Sequence, residues 1–265
     1  MRERIRHADV AGMFYAGDAD VLRQDIAHYL AAATPSAPGT VKALVVPHAG
    51  YMYSGAVAAF GYKLLADQPM PRRLILMGQS HRSWFQGVAL TDVDAFRTPL
   101  GDQPVDRQRS AALAGASPLF SIQTAAHASE HCLEVQVPFI QSIWPQVPIV
   151  PLLFGEVDPL QVGELLQTLL EPGEIIIVSS DLSHYHGNAT AHLLDRHFID
   201  ALLGGEMAGI ARGEACGQVP ALALTLISQH RGWKPQLLDY RTSGDVTGDE
   251  SRVVGYAAIA YMEEE

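Results

Sequence analysis

Cysteine is nearly absent: Cys132 and Cys216 are the only two in 265 residues. Two cysteines cannot staple a disulfide scaffold, and their scarcity fits a reducing cytoplasm. Basic residues are also short. Lys and Arg number 18 against 29 Asp and Glu, which gives a net charge of −11. Such a surface repels phosphate backbones, and Arg72 and Arg73 form only a pair, so nucleic acid is excluded as a partner. No apolar run reaches the ~18 residues needed to cross a bilayer, so no membrane span is expected. The opening MRERIRHADV is charged but no apolar stretch follows it, which argues against a signal peptide. Internal repeats and low-complexity tracts are lacking as well.

What is present is an ordinary globular balance, 48% hydrophobic and 18% charged. That balance excludes disorder and coiled coil. A linker-like TPSAPG (34–39) separates an N-terminal segment from the main body. Before it, Leu22, Ile26, Tyr29 and Leu30 recur at helical spacing, which predicts a helix over Ala19–Ala33 capped by Asp18. After it, short apolar runs alternate with helical patterns. VKALVVP (41–47), RRLILMG (72–78), FQGVALT (85–91), VPIVPLLFG (147–155) and EIIIVSS (174–180) read as strands. Proline in the fourth predicts an irregular or edge strand. PQLLDYRT and RVVGYAAIAYM read as two late strands. Unbroken Val/Ile/Leu runs mean burial on both faces. The expected fold is therefore α/β: one domain, with a mostly parallel or mixed central sheet flanked by helices.

The histidines are placed informatively. His48 follows VKALVVP, His81 follows RRLILMGQS, and His184 ends EIIIVSSDLSH. Three strands thus run into an imidazole at the carboxyl end, where ligands of open α/β sheets bind. Imidazole is a common transition-metal ligand and a proton carrier. Taken singly, each also reads as a loop histidine bonded to backbone. Asp181, three residues before His184, is placed either to orient an imidazole or to cap a turn.

A second cluster, HASEHCLEVQVPF (127–139), contains H-x-x-E-H, the pattern of inverzincin proteases. That reading puts His127 and His131 on one helical face with Glu130 as base. It also needs a later acidic ligand, and Glu164, Glu206 and Glu214 are the candidates. At helical spacing Glu130 and Glu134 instead support His131 locally. Cys132 reads as a small buried hydrophobe in this helix. Cys216, in EACGQVPAL, falls near a helix start, where the dipole favours thiolate. Metal ligation and packing both remain open for it on composition.

AGMFYAGD, VPHAGYMYSG, MGQSH, RTPLGD, HASEHCLEVQVPF, SSDLSHY, ACGQVPAL and RVVGYAAIAYM occur in this order from Ala11 to Met262. Together they resemble the Memo family, whose prokaryotic members are called AmmeMemoRadiSam system protein B. The resemblance implies a fold similar to class III extradiol ring-cleaving dioxygenases. It implies one mononuclear transition metal ion, Fe(II) or copper before zinc, held by His48, His81 and Cys216. It places His184 and Asp181 in the same pocket, with His184 in acid–base chemistry. It also makes partner proteins of the AmmeMemoRadiSam system candidates. The second turn reads GQSH rather than the family's usual GPNH, which changes the turn at Gln79 and Ser80. A thiolate also replaces the carboxylate of the dioxygenases, and its softness favours copper, zinc or soft iron sites.

The expectation is a metal-binding oxidoreductase acting on a small, phenolic molecule. Tyr51, His131 and Glu134 are expected to shape its substrate pocket. A non-catalytic adaptor on the same fold is the alternative, and a metalloprotease the third reading.

Overall fold

The computed structural model describes residues 3–264; Met1 and Arg2 of the charged opening lie outside them. The chain begins with β1 (Ile5–Arg6), α1 (Ala19–Ala32), β2 (Thr40–Val46), α2 (Tyr51–Ala66) and β3 (Arg73–Gln79). Short strands β4 (Val88–Leu90), β5 (Ala95–Thr98) and β6 (Gly101–Pro104) lead to α3 (Arg107–Ala116) and β7 (Phe120–Ile122). Next come α4 (Val137–Ile143), β8 (Ile149–Phe154), α5 (Pro159–Leu169), β9 (Glu174–Ser179) and β10 (His184–His186). Helices α6 (Asn188–Gly204), α7 (Met207–Arg212) and α8 (Gln218–Arg231) precede β11 (Lys234–Thr242), α9 (Gly244–Thr247) and β12 (Val253–Glu263).

Nine strands form one mixed sheet in the order β10-β12-β2-β9-β3-β8-β4-β7, with β11 paired to β12. Its centre, β2-β9-β3-β8, is parallel. β12 runs antiparallel to β2, and β4 antiparallel to β8. A separate three-stranded sheet joins β1, β5 and β6.

The central strands alternate between two cores. Leu44, Leu74, Leu76 and Ile177 face one core, shared with α1, α2 and α4. Ala43, Val45, Ile75, Met77, Ile176 and Val178 face the other, shared with α5, α6 and α8. This is why their sequences are unbroken apolar runs. Each fully buried Leu, Ile or Val contributes roughly 1.5–3 kcal/mol. A slip of one residue would exchange the two faces, so the register is strongly held.

That register places the site. Val46 pairs with Ser179, and Ser179 with Gly78, so these residues form one row across β2, β9 and β3. His48, Asp181 and His81 lie two or three residues beyond it, at a single carboxyl edge. At the opposite edge, buried Glu174 pairs with Arg73 and Arg109, each at 2.9 Å. That network clamps the amino ends of β3 and β9.

Two expectations need correction. β8 is not an edge strand, because β3 and β4 flank it. Its Pro151 is tolerated because β4 reaches only Leu153 and Phe154, leaving no ladder bond there for an N–H. HASEHCLE does not form a helix either: a 3-10 turn ends at His127, and another covers Glu134–Gln136. Among the described residues, no helix is long and apolar enough to cross a membrane.

Candidate metal centre

His48, Asp181 and His81 follow three neighbouring parallel strands, and a loop from His127 to Leu133 closes over them. Gly78 allows this closure. A Cβ there would stand 2.7 Å from Cys132 Sγ. The loop brings a third imidazole: ring centres of His48, His81 and His131 are 4.8–5.4 Å apart.

Hydrogen bonds fix the tautomer of His48. Ser179 Oγ donates to the Cys132 carbonyl at 2.7 Å and accepts from Gln136 Nε2 at 2.7 Å. Its proton is therefore committed, and the contact with His48 Nδ1 at 2.9 Å requires an N–H on the ring. His48 Nε2 is left with its lone pair, 3.2 Å from Cys216 Sγ. Burial lowers the pKa of His48 to about 4, so it is neutral at pH 7.

Glu130 does the same for His81. Its Oε2 accepts the His81 backbone N–H at 2.6 Å, and its Oε1 lies 3.0 Å from His81 Nδ1. The Cys132 amide and, at 3.2 Å, His131 Nδ1 also face Oε1. His131 and His81 hold the Glu130 carboxyl well below the usual range despite burial, which opposes them. The carboxylate thus orients the His81 imidazole by its far nitrogen, the arrangement that supports metal-binding histidines.

Cys216 sits just before α8, whose cap is Gly217. Its sulfur accepts the Asp181 backbone N–H at 3.1 Å. Asp181 Oδ1 in turn accepts the His48 and Ala49 amides, at 2.7 and 3.3 Å. The helix-start position was expected to favour thiolate. Burial, aided by the nearby Asp181 charge, instead pushes the Cys216 thiol up. Desolvation outweighs the helix dipole here.

The donor atoms of His48, His81 and Cys216 all lie within 4.8 Å of one another. Those of Asp181, His184 and Cys216 do so as well. Beside them opens a cavity of about 570 Å³, lined by His48, His81, His131, Asp181 and His184.

The family description "Memo-like protein" matches residues 6–260. The chain belongs to the Memo family. It is 34% identical to a MEMO1 family protein of Methanopyrus kandleri, over 97% of this chain and 98% of that protein. It is 36% identical to one of Methanothermobacter thermautotrophicus, over 97% and 100%. A crystal structure of an uncharacterized Escherichia coli K12 protein has the same fold, with TM-score 0.52 and 16% identity over 83% of this chain and 99% of that one.

Other residues of this Memo protein lie elsewhere than its sequence suggests. Tyr51 is buried in the core, and its hydroxyl donates to the Val135 carbonyl at 2.7 Å. Tyr53 lines the cavity instead. Two helical steps rotate a side chain by about 200°, so only one of the pair can face the site. Glu134 does not line the cavity. It is buried against the Arg6 guanidinium and accepts from Tyr15 Oη at 2.5 Å and the Asp9 and Val10 amides at 2.9 and 3.0 Å. It anchors the N-terminal strap that carries Phe14 onto His131. His127 turns away as well, its Nε2 donating to the Ala89 carbonyl at 3.1 Å. The inverzincin pair is therefore not assembled. Glu214 instead binds His186 at 2.9 Å, and Glu164 faces His230 at 3.7 Å. Ser179 and Gln136, which hold His48 from behind, show in the sequence only as polar residues inside apolar runs.

Proposed function

We propose that this Memo protein binds one transition metal ion through His48, His81 and Cys216 and uses it to oxidise a small phenolic molecule. One observation carries the reading. Three donor atoms of metal-binding type converge within 4.8 Å, while both imidazoles have their Nδ1 engaged by Ser179 and Glu130. Two imidazoles and one sulfur fit a borderline-to-soft ion such as copper, zinc or iron. The oxidation proposed here calls for iron or copper, because zinc has no redox chemistry. A bound redox metal would supply Lewis acidity and an electron path at the floor of the cavity.

The chain's own residues do the rest. His184 lines the cavity beside Asp181, which supports giving it the role of taking the phenolic proton. Asp181 spends one oxygen on two backbone amides, which fixes the turn that carries His48. Phe14 and Tyr256 form apolar walls that exclude water from the ring.

Anaerobically purified protein should carry about one iron or copper per chain. With catechol it should consume oxygen, and His184→Gln should keep the metal and lose the uptake. Protein that takes up no transition metal would sink the proposal. Full metal loading without turnover on any phenol would leave a metal-carrying adaptor.

A further inference from the structure

The outer part of the cavity is built differently from its floor. Phe14, Tyr53, Tyr185 and Tyr256 give it aromatic walls. One arginine stands among them. Arg252 lines the same cavity, with its guanidinium carbon 5.2 Å from the centre of the Tyr185 ring. Among the described residues it forms no ion pair within 4.0 Å. Asp249 also lines the cavity, but its Oδ1 accepts the Ser251 N–H at 2.9 Å and the Ser251 hydroxyl at 2.6 Å. Asp181 is committed to the amides of His48 and Ala49. Neither carboxylate lies within ion-pair distance of the guanidinium.

The backbone goes out of its way to build this pair. Tyr185 has φ +62°, and among the described residues no other non-glycine residue has a positive φ. A bulky side chain rarely adopts that conformation unless its surroundings enforce it. Pairing of β10 with β12 also shifts register between His184 and His186, on either side of it. Such a bulge re-aims side chains. Here it sets the Tyr185 ring against Arg252, the residue that precedes β12.

We propose that Arg252 and Tyr185 form a recognition subsite for the carboxylate of an aromatic substrate. The proposal rests on the reading of the floor given above and adds the substrate class to it. A guanidinium presents two parallel N–H groups that match a carboxylate. Stacking on Tyr185 limits its rotamers beforehand, so less freedom is lost on binding. The tyrosines and Phe14 accept the ring, whose hydroxyls then point at the floor.

Calorimetric titration with 3,4-dihydroxybenzoate and with catechol tests this, because the two differ only by the carboxylate. The carboxylate compound should bind about tenfold tighter, as a charge-assisted contact at an exposed site allows. Arg252→Gln should bring the ratio to about one and leave catechol affinity in place. Arg252→Lys should retain part of the preference. Equal affinities in the natural protein, a preference that survives Arg252→Gln, or no binding of either compound would each overturn the subsite. Metal content is read separately. Protein that takes up no transition metal yet keeps the preference overturns the reading of the floor and not this one.

Discussion

His48 Nε2 stands 3.2 Å from Cys216 Sγ, although the two are 168 positions apart in the chain. Each is held by a different device. His48 is fixed from behind by Ser179 Oγ at 2.9 Å, and Cys216 by the Asp181 amide at 3.1 Å. Ser179 ends β9 and Asp181 follows it by two residues, so the carboxyl end of one strand aligns the imidazole lone pair with the sulfur. A site set up in this way needs little rearrangement to take an ion.

Glu130 tests how much the supporting carboxylate matters. Glu130→Gln keeps the shape but removes the charge that faces His81 Nδ1 at 3.0 Å. Metal affinity should fall by about 10–100-fold, as for other partners of metal-binding histidines. Chelator competition would measure it. The His48→Ala, His81→Ala double variant should hold no metal at all. Unchanged affinity in Glu130→Gln would mean that His81 is oriented by something else.

Glu134 should behave differently. Removing one member of a buried ion pair costs about 3–5 kcal/mol. Arg6 and Glu134 have side chains only 4% and 1% exposed. Glu134→Ala should lower the urea midpoint by a corresponding amount, while protein kept below its melting temperature still binds metal with the natural stoichiometry. Loss of metal without loss of stability would return Glu134 to the site.

The parts of this protein that could be read in its sequence are those set by period and strand end. The runs around Leu44, Leu76 and Ile177 announce buried strands, and His48 and His81 follow two of them directly. Register then does the rest, since three parallel neighbours leave their next residues on one edge. Contacts between distant segments were not legible. Nothing local marks Glu134 as the partner of Arg6, 128 positions away. The spacing of His127 and His131 suggested a helix, but that stretch turns twice, and the His127 ring bonds the Ala89 carbonyl while His131 faces the cavity. Tyr51 and Tyr53 differ by which side of α2 meets Phe139, a packing fact that composition does not carry.

His127 sets an acid limit on stability. Burial lowers its pKa from the ordinary 6.5 to about 4, so the folded protein keeps it neutral. Below pH 6.5 the unfolded chain gains a proton that the folded one refuses. Stability is therefore complete above that pH, falls as pH drops toward about 4, and levels off below. The window corresponds to about 3 kcal/mol at about 1.4 kcal/mol per pH unit. His48 titrates in the same direction, so the comparison is between natural protein and His127→Gln, both stripped of metal. Glutamine can still donate to the Ala89 carbonyl. Urea midpoints in His127→Gln should depend on pH less steeply, by up to one proton between pH 6.5 and 4. Parallel profiles would show that His127 is not the group responsible.

Gly217 gives the sharpest steric test of the sulfur's position. A Cβ there would lie 2.5 Å from Ser180 Cβ and 2.8 Å from the Ser179 carbonyl oxygen. Neither neighbour can step aside. The Ser180 N–H is bonded to the Val46 carbonyl at 2.9 Å, and Ser180 Oγ accepts the Gly217 N–H at 2.9 Å. The added methyl must push Cys216 away from β9, and with it the 3.2 Å approach to His48. Gly217→Ala should cost about 1–3 kcal/mol as an overpacked site, and metal affinity should fall together with stability. Gly115 supplies the control, because it lies inside α3 with nothing within 4 Å of its Cβ position. Gly115→Ala should gain about 0.5–1 kcal/mol through better helix propensity and leave metal binding alone. Opposite shifts of the urea midpoint, with chelator competition altered only in Gly217→Ala, are the expected result. A Gly217→Ala protein as stable and as well loaded as the natural one would show that this close approach does not position Cys216.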